Sequence, residues 1–219
     1  MYFTPTTLTA ALAVALLTSP VAAHMEVQSP PPRRSKFGTS TNPDYNMVAP
    51  LTTDGSQFPC KGYAKGATVA NLTPGSSINV DVTGGATHGG GHCQFSLSYD
   101  DKTFIVLKTI PNNCFFEGSS LGNGIYRFSI PIPSTLPSSS TATLAWSWIN
   151  GVGNAEYYMN CMDVSINGGA SSGTLKGPQL FVANQPGYPT LADFRTDSGR
   201  ESGTCYLDRR PTVSVGVTG

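Results

Sequence analysis

The chain has three histidines, and their placement suggests metal chemistry. His88 and His92 share one short run, Thr87-His88-Gly89-Gly90-Gly91-His92-Cys93, whereas His24 stands alone directly behind an apolar leader. Removal of that leader after Ala23 would make His24 the first residue. It would then offer one metal two nitrogens, its α-amino group and its ring Nδ1, in a closed chelate ring. A second imidazole placed opposite would complete a T of three nitrogens. Planar nitrogen sets favour copper by affinity order and by geometry. The amine must lose a proton to bind, and a reference pKa near 8 keeps that cost small at neutral pH. The glycines after His88 give its loop the freedom to aim a ring at a distant part of the chain. His92 reads as a surface neighbour, although four residues along a flexible loop it could substitute for His88.

The leader is what gives His24 its special position. Leu8 to Leu17 is an apolar run of signal-peptide length, too short to cross a bilayer as a helix. Val21-Ala22-Ala23 supplies the small residues that signal peptidase prefers, although no Lys or Arg precedes the apolar run. The expectation is a signal peptide over 1–23 and a secreted, extracellular protein without a membrane anchor. Thirteen basic and thirteen acidic side chains balance to zero, with no basic cluster beyond Arg33-Arg34. That pattern argues against a nucleic-acid partner, and a monomer is expected.

The elements that must position these residues read as short strands. Ile78, Val80 and Val82 alternate with polar residues, as do Phe95, Leu97 and Tyr99, which is the period of half-buried strands. Asp100-Asp101-Lys102 reads as a turn leading to a strand over 104–110, hence a hairpin. Further strands are expected over 126–130, 143–148 and 161–166. The stretch from His24 to about Tyr63 reads as irregular, and no segment carries a helical apolar stripe. The expected fold is all-β, an immunoglobulin/fibronectin-III-like antiparallel β-sandwich with long loops and disulfides. Trp146 and Trp148 share a strand face and read as core. Glu156 and Tyr158, two apart, fall on one face of a strand.

Five cysteines in a secreted chain imply disulfides with one left over, and the sequence leaves the pairing open. Were Cys93 bridged to Cys114, the hairpin beside His88 would be tethered. A Cys60–Cys161 bridge would tie the long N-terminal segment to the strand holding Tyr157-Tyr158-Met159-Asn160. Cys205 would then be unpaired. Asn71-Leu72-Thr73 is a glycosylation sequon whose following Pro74 disfavours its use.

Four features in order resemble one family. They are the N-terminal histidine, Ala86-Thr87-His88-Gly89-Gly90-Gly91 ahead of Cys93-Gln94-Phe95-Ser96-Leu97-Ser98-Tyr99-Asp100, Trp146-Ser147-Trp148, and Asn154-Ala155-Glu156-Tyr157-Tyr158-Met159-Asn160-Cys161. Together they resemble the fungal lytic polysaccharide monooxygenases of auxiliary activity family 11. The likeness spans about 24–184, ending in Gly177-Pro178-Gln179-Leu180-Phe181-Val182-Ala183-Asn184, and 185–219 is expected to be a divergent extension of the same domain. The resemblance implies one copper ion held by His24 and His88, with Tyr158 weakly axial. It makes Glu156 a neighbouring carboxylate that steers oxygen chemistry and Ala86 the small residue beside the axial face. It also implies chitin or a related crystalline polysaccharide as substrate, an external electron donor, and dioxygen or hydrogen peroxide. The alternative is a secreted copper-binding protein of the same brace that cuts no sugar, although relatives of that kind tend to carry an acidic residue in place of the tyrosine.

Overall fold

The computed structural model describes residues 24–196 and 200–217, so the signal peptide expected over 1–23 lies outside the described residues. Eleven strands among these form three sheets. A four-stranded sheet has the order β1-β3-β7-β6, from β1 (Met25–Ser29), β3 (Ser77–Gly84), β7 (Ile125–Pro131) and β6 (Ser119–Gly122). A five-stranded sheet has the order β2-β9-β8-β4-β5, from β2 (Ala70–Leu72), β9 (Tyr157–Ile166), β8 (Ser139–Ile149), β4 (His92–Ser98) and β5 (Ile105–Ile110). β10 (Gly173–Pro178) and β11 (Thr212–Val217) pair separately. Two short α-helices, α1 (Cys114–Glu117) and α2 (Thr204–Asp208), and a 3-10 turn at Cys60–Gly62 complete the set. No helix among the described residues is long and apolar enough to cross a membrane.

The two large sheets pack face to face. Val27, Val80, Val82, Phe128 and Ile130 of one meet Phe95, Leu97, Leu144, Trp146, Trp148 and Val164 of the other in a single core cluster. This is the β-sandwich expected from the alternating runs, and β4 and β5 form the expected hairpin. One pairing departs from the antiparallel rule, since β2 runs parallel to β9.

The outer face of the five-stranded sheet is covered as well. Ala145, Ile149, Tyr157, Met159 and Cys161 point to a second cluster with Leu51, Phe104, Leu180, Val182, Leu191 and Phe194. β4 is therefore buried at every position and β9 at all but one, which corrects the half-buried reading of β4: the polar residues alternating with Phe95 and Leu97 are buried as well. The cover comes from the N-terminal loops and from the chain beyond β10. The N-terminal cover is fastened by Arg33, which is buried and forks onto Asp163 Oδ1 at 2.6 Å while reaching Asp101 at 2.8 Å. A disulfide joins Cys60 to Cys161, and a second joins Cys93 to Cys114. Cys205 is free.

The stretch after His24 corrects the sequence reading. It enters a strand at once, because Met25 and Val27 bury at about 1% or less against β3, too short an alternation to stand out beside the Pro-rich run that follows.

Candidate metal centre

His24 is held by its backbone. β1 pairs with β3 through Met25↔Gly84, and Gly85 N–H donates to His24 carbonyl oxygen at 3.1 Å. A side chain at Gly84 would fall 2.0 Å from that same oxygen, so only glycine lets the two strands approach here. From the opposite sheet, buried Asn160 of β9 accepts a hydrogen bond from Val27 N–H at 2.8 Å. The first strand is thus clamped on both sides immediately after His24.

His88 is presented by a loop that turns left-handed. His88 itself has φ 42°, and Gly89, Gly90 and Gly91 follow at 67°, 91° and 73°. Gly91 is the tightest point: a Cβ there would sit 2.1 Å from Ile149 carbonyl oxygen. Several bonds fix the loop, three of them close to His88. Gly90 N–H donates to Thr87 O at 2.8 Å, Gly151 N–H to His88 O at 3.0 Å, and Trp148 Nε1–H to Gly90 O at 2.7 Å. Ala86 lies half-buried in the coil just before it.

Tyr158 lies opposite Trp148 in the β8–β9 ladder, their rings 4.5 Å apart, and its own ring is 5.9 Å from that of His24. Its hydroxyl donates to Glu156 Oε2 at 2.7 Å. Burial, reinforced by the Glu156 carboxylate, pushes the phenol well above its ordinary range, so it remains a proton donor. Glu156 is aimed by Asn150, fully buried, whose Oδ1 accepts from Glu156 N–H at 3.2 Å and whose amide donates to Val152 O and Asn154 O.

These loops bring His24, His88 and Glu156 together, with one ligand atom from each lying within 4.8 Å of the others. The two imidazole rings are 6.0 Å apart by their centroids. All three side chains are half-buried, reachable from solvent yet anchored behind. Borderline nitrogen donors with a carboxylate beside them suit a divalent transition metal better than calcium or magnesium, which take oxygen cages. The donor set fits copper.

His92 is not part of this group, and it is not at the surface. It is buried, its ring stacked 4.8 Å from Phe194. Nδ1 accepts from Asn112 N–H at 3.0 Å and Nε2 meets Ser202 O, which fixes the neutral tautomer with Nε2 protonated. Burial holds its pKa below the usual histidine value. Spacing alone could not separate this structural histidine from its neighbour.

Asn150, Asn160 and Asn184 are the supporting residues that the sequence left unread, though Asn160 and Asn184 sit inside the quoted runs. Asn184 donates from Nδ2 to Glu156 O and Leu191 O, both at 2.9 Å, and accepts from Leu191 N–H at 2.7 Å. The chain beyond it returns to the site, where Arg195 N–H donates to Gly151 O at 3.0 Å.

No family model matches the chain. It is 43% identical over 179 residues to the AA11 family lytic polysaccharide monooxygenase A of Aspergillus fumigatus, covering 77% of this chain and 78% of that protein. It is 33% identical over 211 residues to the AA11 family lytic polysaccharide monooxygenase B of the same species, covering 82% of this chain and 48% of that protein, about half its length. Among solved structures it is similar to a cellulose-active polysaccharide monooxygenase from M. thermophila, with a TM-score of 0.48, 15% identity, and coverage of 70% of this chain and 80% of that one.

Proposed function

This chain belongs to the AA11 family of lytic polysaccharide monooxygenases, and from that premise we propose that it is a secreted, copper-dependent enzyme that cleaves β-1,4 links of chitin oxidatively. The observation that carries this is the meeting of His24, His88 and Glu156 within 4.8 Å, from three separate parts of the chain. Copper bound there supplies one-electron redox chemistry, by which an external reductant and dioxygen or hydrogen peroxide hydroxylate a carbon of the glycosidic link.

The protein residues have distinct tasks. Release of the leader after Ala23 frees the amine of His24, and the clamp of Gly84, Gly85 and Asn160 keeps that terminus in place. The His88 loop supplies the opposing imidazole. Tyr158 closes the inner side with a ring and a hydroxyl that keeps its proton, presenting no anion to the metal. Glu156, tied to that hydroxyl, is the carboxylate able to hold or pass a proton beside the reacting oxygen. Trp148 behind them excludes water from the core side.

The test has two parts. N-terminal sequencing of the secreted protein should read His-Met-Glu, and any other start defeats the site. Copper-loaded protein with β-chitin and ascorbate should then release oxidised chito-oligomers, seen by mass spectrometry. Tight copper binding without such products would favour a copper-binding protein instead.

A further inference from the structure

A second concave site lies on the outer side of the five-stranded sheet, sharing no residue with the metal centre. It is a cavity of about 320 Å³ between the turn at Lys102, the run Gln179–Val182 and α2. That volume falls at the lower end of the roughly 300–1,000 Å³ typical of small-molecule sites.

Two features define what it would take. The first is flat aromatic lining. Phe181 and Tyr206 stack at 5.4 Å and 7°, and Phe58 and Tyr188 meet at 6.2 Å. Tyr188 and Tyr206 are 46% and 40% exposed, so their rings are open to a further planar partner.

The second is positive charge with no carboxylate in the lining. Lys102, Arg209 and Arg210 line the cavity. None of the three forms an ion pair among the described residues. Arg210 is the telling one. It is half-buried, yet its partners are all neutral: Leu207 O at 2.7 Å, Gln94 Oε1 at 2.9 Å and Thr109 Oγ1 at 3.0 Å. Desolvation lowers its pKa, and the charge of Asp208 opposes that without forming an ion pair or a hydrogen bond with it. A partly desolvated cation with no carboxylate in hydrogen-bond contact is costly, and a ligand that brings one relieves that cost.

We propose that this cleft binds a planar aromatic carboxylate, its ring stacking between Tyr188 and Tyr206 and its carboxylate meeting Arg210 and Lys102. A neutral sugar would use the rings but leave the cations unanswered, and an inorganic anion would use the cations but leave the rings exposed.

Calorimetric titration of the secreted protein with 4-hydroxycinnamate tests this. Saturable binding is expected, with the uncharged methyl ester at least about tenfold weaker. Lys102→Ala and Arg209→Ala are surface changes that should each weaken the anion and leave the ester unaffected. Arg210→Gln should weaken it most, with its fold checked by circular dichroism. The same affinity is expected in copper-loaded and copper-stripped protein. Absence of saturation, equal affinity for acid and ester, indifference to Lys102→Ala and Arg209→Ala, or heat seen only with copper present would each overturn the assignment.

Discussion

Replacing Asn184 with alanine should unfasten the back of the metal centre at a calculable cost. The side chain makes three hydrogen bonds, two donated and one accepted, and is buried. At about 1 kcal/mol net for each, their loss removes about 3 kcal/mol. The backbone adds to this, because Asn184 sits at φ 59°, where alanine costs about 1 kcal/mol more than asparagine. The sum is about 4 kcal/mol, which for a chain of this size lowers the melting temperature by roughly 10 °C. Thermal unfolding of the secreted protein, followed by circular dichroism, reads this directly. Asn184→Gly separates the two contributions, since glycine accepts the same backbone without strain and should fall about 1 kcal/mol short of the alanine variant. A melting temperature for Asn184→Ala within a degree or two of the parent would refute the clasp. Equal losses for alanine and glycine would refute the backbone share.

Three other perturbations follow from the same geometry. Tyr158→Phe removes the hydroxyl bonded to Glu156 and should cost about 1 kcal/mol, because water can reach the half-buried carboxylate in its place; in the parent, alkaline absorbance titration should leave this ring un-ionised where free tyrosine, near pH 10, has lost its proton. His92 is held neutral in the fold while an unfolded chain protonates near pH 6.5, so the unfolded state takes up more protons as pH falls. Stability should therefore be full above about pH 6.5 and decline below it, a slope that His92→Gln flattens in melting curves taken from pH 8 to 5. Replacing both Cys93 and Cys114 with alanine opens a loop of sequence separation 21 and should cost about 3 kcal/mol in denaturant unfolding, with β4 and α1 losing their tether.

The sandwich was legible wherever only one face of a strand is buried. β3 and β7 alternate because their outer faces meet solvent, and their runs announced themselves. β4, β8 and β9 lie under the N-terminal and C-terminal covers; β4 was legible by its alternation all the same, but its polar residues Gln94, Ser96 and Ser98 are buried rather than solvated, which the pattern could not show. At the site, His24 and His88 stood out by type and surroundings. The asparagines that hold them did not, since Asn is common in turns and its bonds here reach across 133 residues in the case of Val27 and Asn160. His92 shows the converse. Its type drew notice, yet its partners are two backbone groups at 112 and 202 that no local pattern connects to it.

The return of the chain after Asn184 has an implication for how freely this part can vary. Its hydrogen bonds to the site come from main-chain atoms of the strap: the amide of Leu191 to Asn184, the amide of Arg195 to Gly151, and the carbonyl of Ser202 to His92, while Leu191 and Phe194 add apolar packing. Any residue other than proline can offer an amide, and every residue offers a carbonyl. Substitution in the described strap should therefore be tolerated at its exposed positions and resisted at Leu191 and Phe194, whose side chains are buried against the sheet and against His92.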